Sequence, residues 1–553
     1  MRGLRCAVVP AAALAALLAC DPLGADVAGR VVDDVDGSPI AGATVAMRAR
    51  PDLGRTTTQA DGSFELPLSF GGVLEIGAAR AYDPAAVHNY RSEAQQVIDG
   101  MTTVEIRLQR LPVADDPDYE PPSADQFCRG CHGTYYTQWA SSRHAGSAVN
   151  PWVLDLYSGD GTPGGGAGYV FRDSHDADDT GLCATCHAPL QDVFTPGGLF
   201  LDEVSTEAGL DGVTCLACHQ IAHVNDDVDA LHHLGNSQYR FPLGNAATSM
   251  FVWGALPDVP GIPMQNSYSP LHAESKFCAS CHQYTNPTTG APGQNTYREW
   301  LASPYAQPGP GQRTCQNCHM PTQTTPAVIG GGGPSRPGSQ RHAHTFIGAT
   351  PQRLSENILL RVEVQQQDNH LVVSAEVENR CGHNFPTGIS IRNALLLVEA
   401  SIGGQPLVQA AGPVLPFWAS DDVPGQQAGD HAGRPGKGYA KVLSGRINGT
   451  GEVQRPVLFI DAEGVDSSTG IPSGATDVTE LRFAIPPGMA PGAVASVDTR
   501  LLYRRAWRAL AVTKGWTQTP GGMPVEIEVQ RDQRQHVLVP VADALFSHGF
   551  EPD

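Results

Sequence analysis

The sequence predicts a multidomain chain with a small N-terminal β sandwich, an irregular core of loops and short helices, and a C-terminal antiparallel β sandwich. Three observations predict it. Apolar and polar residues alternate in short runs near both ends of the chain, as half-buried strands require. Glycine (61) and proline (44) are too frequent for long helical bundles. Ten of the 13 cysteines crowd between residues 128 and 318 in a spacing that no strand needs. At roughly 100–200 residues per domain, 553 residues give room for three or four domains.

The N-terminus sets the compartment. Met1-Arg2-Gly3-Leu4-Arg5 is a short basic head, and the uncharged apolar stretch 6–19 is too short to span a bilayer, so residues 1–19 read as a secretory signal. The segment ends in Leu17-Leu18-Ala19-Cys20, which resembles the lipobox of bacterial lipoproteins. That resemblance implies a lipid on Cys20 and an exported, membrane-anchored lipoprotein facing the periplasm or placed on the cell surface. The formal net charge of −21 argues against nucleic acid or an anionic membrane surface as partner and leaves basic partners.

Residues 26–110 carry Gly29-Arg30-Val31-Val32, the turn Asp36-Gly37, Ala41-Gly42-Ala43-Thr44-Val45-Ala46 and Asp61-Gly62-Ser63-Phe64-Glu65-Leu66. Short alternating strands split by Asp-Gly turns indicate a small sandwich. The segment resembles a carboxypeptidase regulatory-like (transthyretin-like) domain, which implies a spacing or docking module without catalytic residues. Pro112 to Ser123 is an acidic, proline-rich connector.

Five pairs of cysteines, each separated by two residues and followed at once by histidine, then occupy the core. They are Cys128/Cys131/His132, Cys183/Cys186/His187, Cys215/Cys218/His219, Cys278/Cys281/His282 and Cys315/Cys318/His319. Chance predicts roughly 0.01 such pentapeptides from 13 Cys and 19 His. Two thiols three positions apart reach the two vinyl groups on one haem edge and form thioethers, while the adjacent imidazole takes the iron as proximal ligand. Zinc knuckles would need four-thiolate sites, hence motifs in twos, and five is odd. Five haem c groups follow, and since haem c is attached outside the cytoplasmic membrane, the export signal agrees. The aspartates at 173, 176, 178 and 179, with those at 226, 227 and 229, read as solvated acidic loops rather than a calcium site.

Trp139-Ala140-Ser141-Ser142-Arg143-His144-Ala145, after the first motif, is similar to the W-x-x-S-x-H-A segment of the multihaem c-type cytochromes related to cytochrome c-554 and c-552. After the fourth motif comes Trp300-Leu301-Ala302-Ser303-Pro304-Tyr305-Ala306, the same pattern with Tyr305 in place of the histidine, which looks like an internal duplication. The resemblance covers about residues 120–400 and implies a pentahaem cytochrome c domain over 120–350. If each iron has two axial ligands, five distal ligands must come from the fourteen histidines outside the motifs. His144 lies in the family-like segment. His223 follows the third motif as in relatives, and His272 precedes the fourth. His344 begins a family-like H-x-F-x-G, and His383 sits in Gly382-His383-Asn384-Phe385-Pro386-Thr387-Gly388. His342, His175, His232 and His233 are reserves.

From about 351 to 545 alternation returns, at Val362 and Val364, at Val373, Ala375 and Val377, at Leu481 to Ile485 and at Val525 to Val529, predicting the C-terminal antiparallel sandwich. Pro386 and Gly388 shape the His383 loop so that it can project a ligand and pin this domain onto the core. Cys381 reads as a buried free thiol. Two function classes follow. One is electron transfer through bis-histidine haems, with other redox proteins bearing basic surfaces as partners and no catalytic residue. The alternative is a multihaem oxidoreductase acting on a small nitrogen or sulfur compound at one open haem, for which Tyr305, flanked by Arg298 and Arg313, marks the place to look.

Overall fold

The computed structural model describes residues 27–68, 72–98, 101, 103–225, 237–244, 250–261 and 264–539. The signal segment, Cys20, His232, His233 and the aspartates at 226, 227 and 229 lie outside the described residues. Among the described residues no helix is long and apolar enough to cross a membrane. The chain is strand-rich and divides into two compact units.

The first unit is built on two small sheets. Val27–Asp33 pairs antiparallel with Ser63–Leu66 and parallel with Thr103–Leu108. The second sheet runs in the order Arg55–Thr57, Thr44–Met47, Val73–Ala79, Glu93–Ile98. Thr103–Leu108 alternates exposed and buried residue by residue, and its inward side chains join Val31, Val45, Phe64 and Ile76 in one core. The Asp61-Gly62 turn requires glycine twice over, because Gly62 has φ +78° and a Cβ there would stand 2.6 Å from the Val31 carbonyl oxygen. This unit also takes in Pro242–Ser269, from between the third and fourth cysteine motifs, residues that the expected boundaries count with the 120–350 domain. Phe251–Gly254 and Gln265–Tyr268 pair in parallel there. Asp258 accepts from the Ala49 amide at 2.6 Å, and Ser267 Oγ donates to the Tyr90 carbonyl at 3.0 Å.

The second unit joins the motif region to the C-terminal sandwich. One sheet orders Ile358–Gln367, His370–Asn379, Thr476–Ala484 and Gln409–Ala411, and the other centres on Asn393–Ile402 between Gly436–Ser444 and Val494–Arg504. Every ladder is antiparallel. Asn393–Ile402 is buried on both faces, which is why it reads as a near-continuous apolar run. Leu396 and Val398 point into the core between the sheets, whereas Leu395 and Leu397 meet Trp418, Trp507 and Trp516 on the outer face. Trp152 of the motif region stacks on Trp516 at 4.4 Å between centroids, closing that outer face.

A second tie joins the two parts of this unit. His175 donates through Nδ1 to the Phe171 carbonyl at 3.2 Å and faces Asp461 through Nε2 at 2.8 Å, so this reserve ligand is engaged at both nitrogens. Tyr169 donates to the other Asp461 oxygen at 2.9 Å. Burial alone would lower the His175 pKa, but the Asp461 carboxylate more than offsets it and raises the imidazole above its ordinary 6.5. A raised folded pKa contributes stability in full below 6.5 and loses it as pH rises through the folded value. Thermal melts of the holoprotein should therefore weaken above pH 6.5, and Asp461→Asn should flatten that dependence. An unchanged pH slope in the variant would exclude the pair as its source.

Candidate functional site

Four motifs each lie on one short helix, Cys183–His187, Cys215–His219, Ser275–His282 and Cys315–His319, while the first spans a helix junction, with Cys128 closing Ala124–Phe127 and His132 opening Gly133–Ala140. One helical turn puts residues i and i+3 on the same face, so both thiols of a motif present together. Local sequence starts these turns. Thr214 Oγ1 accepts from the Leu216 and Ala217 amides, and Thr314 with Asn317 forms a capping box.

None of the eleven described cysteines is in a disulfide. Thiols nevertheless touch from motif to motif: Cys128 shares a hydrogen bond with Cys215, Cys186 with Cys281, and Cys278 with Cys315. The duplication is visible in these contacts. Trp139 Nε1 donates to the Val213 carbonyl at 2.8 Å, two residues before Cys215, and Trp300 Nε1 donates to the Arg313 carbonyl at 2.9 Å, two residues before Cys315. The first and third motifs are thus related as the fourth and fifth are, first cysteine against first cysteine in each pair.

Three motif histidines face a second imidazole at one common separation. His219 and His344 have ring centroids 6.3 Å apart, as do His282 and His144, and His319 and His383. A metal held between two imidazole nitrogens at about 2 Å each spaces the centroids by roughly 6 Å, so the donor sets fit a bis-histidine iron. Orientation supports the fit. The Nδ1 atoms of His132, His187 and His319 donate to the carbonyls of Ile329, Ser147 and Ile347 at 2.6, 3.1 and 2.6 Å. His344 and His383 donate likewise to His342 and Asn384, each at 3.0 Å. Such bonds fix the tautomer and leave the Nε2 lone pair for a metal. Burial, reinforced by neighbouring imidazoles, pushes His144 and His344 down to about 4 and His282 to about 3, so all three are neutral donors. Gly330 allows the 330–333 loop to lie on His132, since a Cβ there would stand 2.7 Å from the ring.

Among solved structures, the chain is similar to a pentahaem cytochrome c552 from Thermochromatium tepidum, with a TM-score of 0.50 and 21% identity over 75% of this chain and 99% of that one. The chain shares the fold of that structure. No family model matches the chain, and no curated protein matches it.

Within this fold the remaining candidates are placed differently. His223 sits on the strand Ile221–Val224, opposite Gln238. His272 lies 5.7 Å from His219, with Nε2 3.2 Å from the Cys218 carbonyl. The reserve His342 donates through Nδ1 to the Met320 carbonyl at 2.6 Å, the same orientation as the paired histidines. Among the described residues no second imidazole stands at 6.3 Å from His132 or His187, and no three His, Cys, Asp or Glu side chains converge as a zinc site would need. Tyr305 donates its hydroxyl to the Arg380 carbonyl at 2.9 Å, and the Arg313 guanidinium donates to the Pro310 and Gln312 carbonyls. Cys381 is a free thiol, but half-buried rather than buried, packed at the edge of the sandwich core.

The His383 loop is held from both sides. Asn379 Nδ2 donates to the His383 and Ile471 carbonyls, and Phe385 is buried in the sandwich core. From the motif side, Glu299 accepts from the Asn384 amide at 3.2 Å and the Thr387 hydroxyl at 2.5 Å. His383 is therefore one attachment among several, beside Trp152 with Trp516 and His175 with Asp461.

Proposed function

We propose that this protein is an exported pentahaem c-type cytochrome that transfers electrons. Five haem c groups would be attached at the five cysteine pairs, with His132, His187, His219, His282 and His319 as proximal ligands. His344 would complete the iron of His219, His144 that of His282, and His383 that of His319, leaving His223, His272 and His342 for the irons of His132 and His187. The observation that carries this reading is the common 6.3 Å separation of the three imidazole pairs. Bound haem supplies a one-electron couple at its iron. The chain orients His132, His187, His319, His344 and His383 through their Nδ1 hydrogen bonds, holds His144, His282 and His344 neutral by burial, and sets the thiols of neighbouring motifs in contact so that the groups they carry would lie close together.

Export and a lipid at Cys20 are supported by the N-terminal segment, and the net charge of −21 favours redox partners with basic docking surfaces. The N-terminal sandwich would serve as a spacer or docking module of the carboxypeptidase regulatory-like kind. A second reading, an oxidoreductase with one open haem, draws on His132 and His187, whose rings have no second imidazole at the common separation among the described residues.

Intact mass and a haemochrome assay on protein purified from membranes should give five haems and an acylated Cys20. Four haems, or an unmodified Cys20, would overturn the corresponding part. Carbon monoxide separates the two functions. Rapid binding to one reduced haem, with a high-spin signal beforehand, would favour the oxidoreductase, and no rapid binding would favour the carrier.

A further inference from the structure

In this acidic chain most arginines of the C-terminal sandwich have a carboxylate partner: Arg500 pairs with Glu399, Arg504 with Glu526, Arg508 with Asp430 and Arg531 with Asp498. Arg143, Arg392 and Arg505 depart from that rule and make no ion pair among the described residues, although the fold brings them together. The ladder of Asn393–Ile402 and Val494–Arg504 ends with Asn393 opposite Arg504, so Arg392 and Arg505 each stand one residue beyond its last rung, and the charges of Arg392 and Arg143 both act on Arg505. Arg143 and Arg505 dock on one loop, Arg143 donating to Thr519 Oγ1 at 3.3 Å and Arg505 to the Pro524 carbonyl at 3.2 Å. Backbone room is made for two of these guanidiniums. A Cβ at Gly521 would stand 2.3 Å from Arg143 Nη2, and one at Gly388 would stand 2.6 Å from Arg392 Nη1.

Arg392 and Arg505 are half-buried, and a half-buried guanidinium without an anion is costly, while Arg143 stands exposed beside them. The three together call for a bound anion. Arg143 directly precedes His144, whose ring opposes His282, and Arg392 donates to the Thr387 carbonyl in the His383 loop. We infer that Arg143, Arg392 and Arg505 form a carboxylate-binding cluster that takes the propionates of the haem held between His144 and His282. The inference builds on the pentahaem reading above and adds its anion site. The charges also act on one another and on the ligands: burial first, then Arg392 and Arg143, hold Arg505 below its usual range, and Arg392 adds to the burial that lowers His282 and His383. Planar guanidiniums suit carboxylates because they offer two parallel N–H donors.

Guanidinium charge beside a haem favours the state with one more electron, so the cluster raises that reduction potential. Spectroelectrochemical titration of the purified holoprotein tests it. Arg392→Gln and Arg505→Gln should each lower the reduction equilibrium constant of one haem about tenfold, which is about 59 mV for a one-electron couple, while Arg505→Lys should keep most of the wild-type value. Unchanged potentials in Gln variants that retain five haems would overturn the inference, as would a Lys variant that shifts as far as Gln. Saturable binding of inorganic phosphate to the wild type, lost in the Gln variants, would make this a site for a free anion and overturn the propionate assignment. Fewer than five haems in the wild type would instead count against the pentahaem reading.

Discussion

Lys514→Met should loosen the C-terminal sandwich from the motif region more than any other single substitution on the sandwich side. The Lys514 side chain is fully buried, and its ammonium donates to the carbonyls of Asp155 at 2.8 Å, Tyr169 at 2.6 Å and Gly165. Two of these acceptors flank the glycine-rich stretch 159–168, which thereby wraps a charged tip instead of an apolar plug. The Asp155 carboxylate balances the charge from the same side while accepting from Trp516 Nε1 and Thr162 Oγ1, each at 2.6 Å. Gly165 has no room for a side chain, because a Cβ would stand 1.9 Å from Asp155 Oδ1. Methionine keeps much of the volume but leaves three buried carbonyls without their donor and the buried Asp155 carboxylate without its nearby positive charge. At about 1–3 kcal/mol for each unsatisfied group, the loss is about 3 kcal/mol or more, roughly a hundredfold in the population of locally open forms. Limited proteolysis of the holoprotein should then cut between 159 and 168, or after 513, well before it cuts the wild type. Equal cleavage rates would show that the stack of Trp152 on Trp516 and the pairing of His175 with Asp461 hold the unit without the lysine.

These contacts mark where the sequence ceases to be readable. Short helices were expected in the core but not placed; the motif spacing of three and four is one helical turn, and Thr214 and Thr314 cap two of the turns that the structure puts there. His344 was singled out by a family-like H-x-F-x-G and His383 by the Pro386 and Gly388 of its loop, and the structure sets each opposite a motif histidine. Lys514 carries no such signal. A lone lysine in an apolar stretch reads as a solvated end, and only the fold brings it to carbonyls some 350 positions away. The excursion Pro242–Ser269 was hidden because Phe251-Val252-Trp253 reads equally as contact surface for a haem or as a strand of another unit. His272 and His342 show the limit among ligands. Both lie near motifs, and the difference between a ring aimed at the Cys218 carbonyl and one anchored through Nδ1 on the Met320 carbonyl is a matter of three-dimensional placement. Tyr305 could be located by pattern, but its hydroxyl's choice of the Arg380 carbonyl could not.

Replacing both Cys278 and Cys281 by alanine should have the largest effect on cofactor content. The fourth motif is the one from which both thiols reach other motifs, Cys278 touching Cys315 and Cys281 touching Cys186, while its histidine faces His144 from the segment after the first motif. Apolar clusters in this region are small, such as Ile221, Val224, Leu271 and Ala279, so on the pentahaem proposal the bound groups would supply much of the buried surface. Removing one side chain as large as Phe or Trp from a core costs about 3–5 kcal/mol, and a macrocycle is larger than either, against a total stability of about 5–15 kcal/mol for a domain. The loss should therefore spread to the second and fifth motifs, whose thiols lean on this one. Cys128→Ala with Cys131→Ala is the control, because Cys131 is exposed and Cys128 touches the third motif alone. Haemochrome assays should find four haems in that control and three or fewer in the fourth-motif variant, with intact masses to match. Four haems in both would mean that each motif holds its group independently, and the thiol contacts would then carry no share of the stability of the core.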